Sequence, residues 1–243
     1  MSVVINCDMG EAFGLYQCGD DEGIMPFITV ANVACGFHAA DPVVMKRTVA
    51  LAKKYRVKVG AHPSFPDLQG FGRREIKMQR DELTACIIYQ VGALKAFLDA
   101  EGIPLNHIKP HGALYAVAAR DADVAHAVAD AVDIFKVPVM GMPNTMHEKI
   151  YTARGLQFLA EYYTDLEYND DGSLILTRVH QAVDPGRAAA NCIRVIQEGK
   201  APAAGGNDIP MRADCICVHS DTPGAVELAR VVHQALAPYL AAA

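Results

Sequence analysis

Short apolar runs that end in polar, chemistry-bearing segments recur along this chain, and that recurrence limits the folds open to it more than any other feature. The runs are 3–8 (VVINCD), 29–35 (TVANVAC), 57–61 (VKVGA), 107–110 (HIKP), 137–141 (VPVMG), 156–160 (LQFLA) and 214–219 (DCICVH). Each is rich in Val, Ile or small apolar residues, the composition of strands buried on both faces. Helical periodicity lies between them. Leu83, Ile87, Val91, Leu94 and Leu98 recur at three- and four-residue spacing, as do Val226, Ala229, Val232, Leu236 and Leu240. Asp41-Pro42 supplies a helix N-cap followed by proline at the first helical position, and Asp221-Thr222-Pro223 offers the same chemistry.

Alternation of strand and helix over seven units predicts an α/β fold, a seven-stranded parallel sheet closed or nearly closed into a β/α barrel. An open doubly wound sheet is the alternative, because strand order is not readable from sequence. A chain of 243 residues, 51% of them hydrophobic, suits one barrel domain spanning residues 1–243. The segment 161–183 interrupts the pattern: Asn169-Asp170-Asp171-Gly172 between two β-prone runs reads as a hairpin outside the barrel. PAAGGNDIP (202–210) reads as a Gly/Pro loop, and a helix at about 184–198 rejoins the main pattern.

Composition removes several function classes. A formal charge of −6 with no basic run argues against nucleic acid or an anionic membrane as the main partner. Seven cysteines without a Cys-x-x-Cys pair indicate neither a disulfide framework nor a zinc knuckle. No apolar run is read as long enough to span a bilayer, and MSVVINCD lacks the features of a signal peptide, so a cytoplasmic location is expected. A small-molecule partner remains.

In a parallel barrel the C-terminal strand ends converge on one mouth, where such folds place their chemistry. Four of the nine histidines lie in ACGFHAAD (34–41), GAHPSFPD (60–67), IKPHGALY (108–115) and CVHSDTPGA (217–225), each directly after a β-prone run, and NCDMGE (6–11) adds Asp8 and Glu11. We therefore expect Asp8, His38, His62, Lys109, His111 and His219 around one pocket. Pro63 holds His62 in an extended segment, as suits a general base or ligand. A lysine at a buried strand end must face an acid or an anionic ligand, since burying an isolated ammonium is strongly unfavourable. Lys109 with His111 and Tyr115 can stabilise an oxyanion and move protons. Gly70-Phe71-Gly72-Arg73-Arg74 joins free backbone N–H groups to two guanidinium candidates, a combination suited to phosphate or carboxylate. Each residue also has a purely structural reading: Glu11 an exposed loop acid, Asp8 a turn former, His38 and His62 packed or capping, Lys109 in an ion pair. No G-x-x-x-x-G-K-[ST] run is present, so any nucleotide is held in a non-standard way.

The strings VINCDMGEAFG, VANVACGFHAADP, GAHPSFPD with GFGRRE, IKPHGALY, EYYTDLEYNDDGSL and ICVHSDTPGA, in that order from about residue 3 to 225, resemble the LamB/YcsF family. The resemblance implies a seven-stranded barrel of the glycoside hydrolase/deacetylase type. It also implies ATP-dependent opening of 5-oxo-L-proline to L-glutamate, with ADP and phosphate, in a 5-oxoprolinase complex with two further subunits, B and C. Under that chemistry Asp8, His62, Lys109 and His111 form the catalytic set. Glu11, His38, Arg73, Tyr115, Glu161, His219 and Asp221 contact the substrate. The resemblance departs at Leu166, where the family's Glu-x-Phe-Ala-Asp-Arg carries arginine, at Ser220 in place of glycine, and at Ile175-Leu176-Thr177-Arg178, where the family has Val-Pro-Arg.

Two other classes stay open. One is a metal-dependent, deacetylase-like hydrolase acting on another cyclic amide, with Asp8, His38 and His62 holding a divalent ion, although no His-x-x-x-His helix pattern supports it. The other is a non-catalytic subunit of such a complex.

Overall fold

A computed structural model describes residues 2–175 and 181–241. Seven parallel strands close into a barrel: β1 (Val4–Met9), β2 (Val30–Ala34), β3 (Lys58–His62), β4 (Leu105–Ile108), β5 (Val139–Gly141), β6 (Phe158–Tyr163) and β11 (Cys215–Val218), each hydrogen-bonded to the next, with β11 returning to β1. All seven expected strands are present, and the open-sheet alternative falls. Between them run α1 (Asp21–Ile24), α2 (Pro42–Tyr55), α3 (Arg80–Glu101), α4 (Gly112–Ala118), α5 (Ala122–Phe135), α6 (Met146–Ala153) and α7 (Pro185–Glu198), and α8 (Ala225–Leu236) follows the last strand.

Local chemistry accounts for the helix starts, with one correction. Asp41 caps α2 by accepting from the N–H groups of Val43 and Val44, and Pro42 fills the first helical position. Asp221 does not cap α8. The helix starts at Ala225 after Gly224 in the left-handed region, and Asp221 instead pairs with Arg73. Helix α3, at 22 residues, is by length and composition apolar enough to cross a membrane, contrary to the sequence expectation. It nonetheless behaves as a core helix, burying Leu83, Ile87, Val91, Leu94 and Leu98 and packing on α5 and α2.

The segment after β6 carries two hairpins rather than one. Strands β7 (Glu167–Tyr168) and β8 (Leu174–Ile175) flank the turn at Asn169 to Gly172, as expected. The stretch read as a loop forms β9 (Lys200–Pro202) and β10 (Asp208–Pro210), paired antiparallel. Leu176 to Arg178, part of the third departure, lie outside the described residues.

Strand alternation sorts side chains into two compartments. Outward residues such as Ile5, Cys7, Val33, Val59, Ile108 and Ile216 join the large apolar layer beneath the helices. Inside, Val30, Met140 and Cys215, with Val4 and Leu159, form a separate apolar plug. Next comes an amide and imidazole tier. His107 Nε2 lies 2.7 Å from Asn32 Oδ1, and Asn32 Nδ2 donates to both Asn6 Oδ1 and Asp8 Oδ1 at 2.7 Å. Gly60 makes room for it, since a Cβ there would lie 2.1 Å from His107 Cε1. The ionic tier sits at the C-terminal mouth.

Candidate active site

Two strand-end pairs bring the first cluster together. Asp8 is the last but one residue of β1 and Lys109 follows β4; the Lys109 ammonium lies 3.0 Å from Asp8 Oδ1 and 2.9 Å from Glu161 Oε1 on β6. It also approaches Asn6 Oδ1 at 3.3 Å and Cys217 Sγ at 3.2 Å, and sits over the Tyr163 ring. Burial opposes the charged form of Lys109, yet Asp8 and Glu161 hold its ammonium well above the usual lysine range. Burial would likewise raise the Asp8 carboxyl. Its neighbours His62 at 3.2 Å, Lys109 and His219 at 4.0 Å reverse this and keep it well below the usual range.

His219 completes this side. Its Nδ1 lies 2.8 Å from Asp165 Oδ1, its backbone N–H donates to Asp165 Oδ2, and its ring stacks on Tyr163. Burial disfavours the imidazolium, but Asp165 outweighs it and the His219 pKa is pushed up to about 9. A stable carboxylate beside a stable imidazolium gives a base and an acid within one site.

The second cluster lies alongside. His38 Nε2 and His111 Nδ1 approach Glu11 Oε1 at 3.0 and 3.2 Å, and His111 Nδ1 lies 3.0 Å from His62 Nε2. The His38 and His111 rings stack with centroids 3.7 Å apart. Burial lowers His38 to about 3 and also lowers His111, so both rings are neutral. The loop around Gly72 seals the cluster: Gly72 has φ +64°, and a Cβ there would lie 2.3 Å from Ser64 Oγ and 2.7 Å from His111 Cδ2.

A cavity of about 320 Å³ opens beside these clusters, lined by Asp8, His62, Arg73, Lys109, His111, Tyr115 and His219. A larger cleft of about 720 Å³ adjoins it across Tyr115, Arg120 and Leu174 but lacks these acid-base groups, so we place the chemistry in the smaller one. Five of the six residues expected around one pocket line it. His38 lies behind, almost fully buried. Three further substrate-contact candidates also depart from expectation. Glu11 is buried with His38, Glu161 is buried behind Lys109, and Asp221 pairs with Arg73 at 2.7 Å, so none of these lines the cavity.

Arg74 turns to Asp67, whose oxygens also take the N–H groups of Gly70 and Gly72. The glycine-rich segment is therefore a self-satisfied turn, and only Arg73 faces the cavity. The trio Asp8, His38 and His62 does not converge as a metal set. The ligand atoms that do converge are those of Glu11, His38, His62 and His111, with Asp8, Cys217 and His219 as a second group. Sequence reading missed the roles of Asn6, Asn32, His107, Tyr163 and Cys217. Their signal is alternation: Asn6 and Asp8, Glu161 and Tyr163, and Cys217 and His219 each occupy every second position of a strand and share its inner face.

Residues 3–240 match the LamB/YcsF family. The lactam utilization protein lamB of Emericella nidulans is 45% identical over 93% of this chain and 90% of its own length. The A subunit of 5-oxoprolinase from Chloroflexus aggregans is 45% identical over 97% of this chain and 95% of its own. The crystal structure of a lactam utilization protein from Thermus thermophilus superposes with a TM-score of 0.91 at 43% identity, covering 98% of this chain and 97% of that one.

Proposed function

The chain belongs to the LamB/YcsF family, and from that membership we propose that it is the A-type subunit of a 5-oxoprolinase, acting with B and C subunits to open 5-oxo-L-proline to L-glutamate as ATP is hydrolysed. The observation that carries this reading is the setting of Asp8, an ionised carboxylate on the wall of a small cavity, in contact with His62, Lys109 and His219.

A five-membered lactam resists hydrolysis because its amide is resonance-stabilised and its ring little strained. Phosphorylation of the amide oxygen by ATP makes the carbonyl carbon attackable. Lys109 and Arg73 then neutralise charge on the activated oxygen and the substrate carboxylate. Asp8, supported by His62, takes a proton from the attacking water, and the His219 imidazolium returns one to the departing ring nitrogen, which leaves a γ-glutamyl phosphate; a second water then cleaves this to glutamate and free phosphate. Tyr115 closes one side of the cavity. Leu166, where the family carries arginine, lines the same cavity and marks the position where substrate choice is set.

The chain carries no G-x-x-x-x-G-K-[ST] run, and we therefore assign the ATP step to the partner subunits. The test is an assay of glutamate formation from 5-oxoproline and ATP with and without B and C subunits. Activity is expected only in the assembly; robust 5-oxoproline-stimulated ATP turnover by the isolated chain overturns this division of labour.

A further inference from the structure

The outer nitrogens of two histidines fix what their inner nitrogens can do. His62 Nδ1 lies 2.7 Å from the Lys109 carbonyl oxygen, and His111 Nε2 lies 2.8 Å from that of Phe71. A carbonyl only accepts, so both outer nitrogens carry protons. The inner nitrogens, His62 Nε2 and His111 Nδ1, face each other at 3.0 Å, so at most one proton fits between them and at least one is a lone pair. Carboxylate oxygens of Glu11 and Asp8 stand 3.2 Å from one or the other. Carboxylate oxygens only accept, and one of the two facing imidazole nitrogens must accept, so acceptors outnumber protons among these inward atoms. A single proton relieves only one contact among them; a metal cation relieves several at once.

We propose that Glu11, His38, His62 and His111 form a site for one transition-metal dication of the zinc or cobalt class, held by Nε2 of His38 and His62, Nδ1 of His111 and a Glu11 oxygen. The ligand atoms of these four residues lie within 4.8 Å of one another, and three of their separations are 3.0, 3.0 and 3.2 Å. A tetrahedron with metal–ligand bonds of about 2.0–2.1 Å has edges of about 3.3 Å. Carbonyls that pin the outer nitrogens of ligating imidazoles are the arrangement that orients metal ligands. The ring of His38 is free to adopt either tautomer, because its Nδ1 is buried with no hydrogen-bond partner. Three imidazoles and one carboxylate favour zinc-class ions over magnesium or calcium, which prefer oxygen.

Charge favours the same conclusion. At the mouth four carboxyl side chains, Asp8, Glu11, Glu161 and Asp165, are buried with a single ammonium, that of Lys109, and with His219. The second convergent group, Asp8, Cys217 and His219, is the poorer site. The Lys109 ammonium lies 3.2 Å from Cys217 Sγ and 3.0 Å from Asp8 Oδ1, so a cation there would meet a fixed positive charge. The inference goes beyond the lactam reading and does not depend on it.

Full-length chain stripped with a chelator and titrated with Zn²⁺ or Co²⁺ tests the site without any substrate. One ion per chain is expected, and bound Co²⁺ should show ligand-field bands without thiolate-to-cobalt charge transfer. Glu11→Gln, which keeps size and shape, and His111→Asn should each weaken binding at least about a hundredfold, the upper range for losing even an outer partner of a ligand. Circular dichroism confirms that each variant is folded, and Glu11→Gln decides alone if His111→Asn is not. Cys217→Ser should leave affinity unchanged. Absence of saturable binding by the wild type, undiminished binding by folded Glu11→Gln, or a charge-transfer band abolished by Cys217→Ser overturns the proposal.

Discussion

The Lys109 side of the barrel mouth and the His111 side bury similar numbers of polar groups but satisfy them differently. On the first, opposite charges meet: Lys109 lies between Asp8 and Glu161, and His219 is held by Asp165. On the second, imidazole rings and one carboxylate meet at short range, and the proton-bearing outer nitrogens of His62 and His111 turn to backbone carbonyls. The first side is electrostatically closed and holds groups whose charge states are set for proton transfer. The second is open to a cation. One fold thus prepares an acid-base pair and a ligand set side by side, both on strand ends, where the backbone fixes side-chain direction.

The sharpest way to break this contrast is to remove the ammonium on the closed side. Lys109→Met keeps most of the apolar stem, and turnover of the assembled 5-oxoprolinase should fall at least about a hundredfold, the scale of losing one transition-state donor. Melting should stay cooperative at a lower temperature, because Asp8 and Glu161 lose their counter-charge. Adding Glu161→Gln should recover stability without recovering turnover. Near-normal steady-state rates for the single variant would make Lys109 a structural partner only.

The contrast also explains what is legible in the sequence. Strands are readable because runs such as TVANVAC and DCICVH are dominated by β-branched and small apolar residues, and the histidines are readable because they follow those runs. The amide tier is not. Asn6 and Asn32 inside a strand resemble turn formers, and only the closed barrel shows that they face each other and His107. Asp221-Thr222-Pro223 looks like a helix start in one dimension. In three, Arg73, 148 residues away along the chain, takes the carboxylate. Strands β9 and β10 are hidden by length, each being three residues among glycines and prolines.

The open side is best probed through its lid. Gly72→Ala places a methyl group in a left-handed backbone position against Ser64 and the two stacked histidines. Conformational cost plus overpacking should destabilise the fold by about 2 kcal/mol, measurable by urea unfolding. Metal affinity should fall with it, while the His219 pKa should not move. An unchanged unfolding midpoint would mean that the loop yields without disturbing the rings, and the lid would then be no part of the site.

The smallest effect expected concerns the pH behaviour of the closed side. The folded-state pKa of His219, about 9, lies above the ordinary histidine value, so the folded protein holds this proton more tightly than the unfolded chain. Its contribution to stability is complete below about pH 6.5, the unfolded value, and is lost as pH rises through about 9. Asp165 creates the shift, and Asp165→Asn keeps one acceptor oxygen while removing the charge. Wild type should therefore be more stable than Asp165→Asn by a margin that shrinks by on the order of 1–2 kcal/mol between pH 6 and pH 10. Unfolding curves recorded in parallel across that range isolate the pair, because other groups titrate alike in both proteins. A constant margin would place the His219 proton elsewhere and deprive the proposed acid of its support, whereas a shrinking one with Cys217→Ser unaffected would tie the protonated imidazole to Asp165 and not to Cys217.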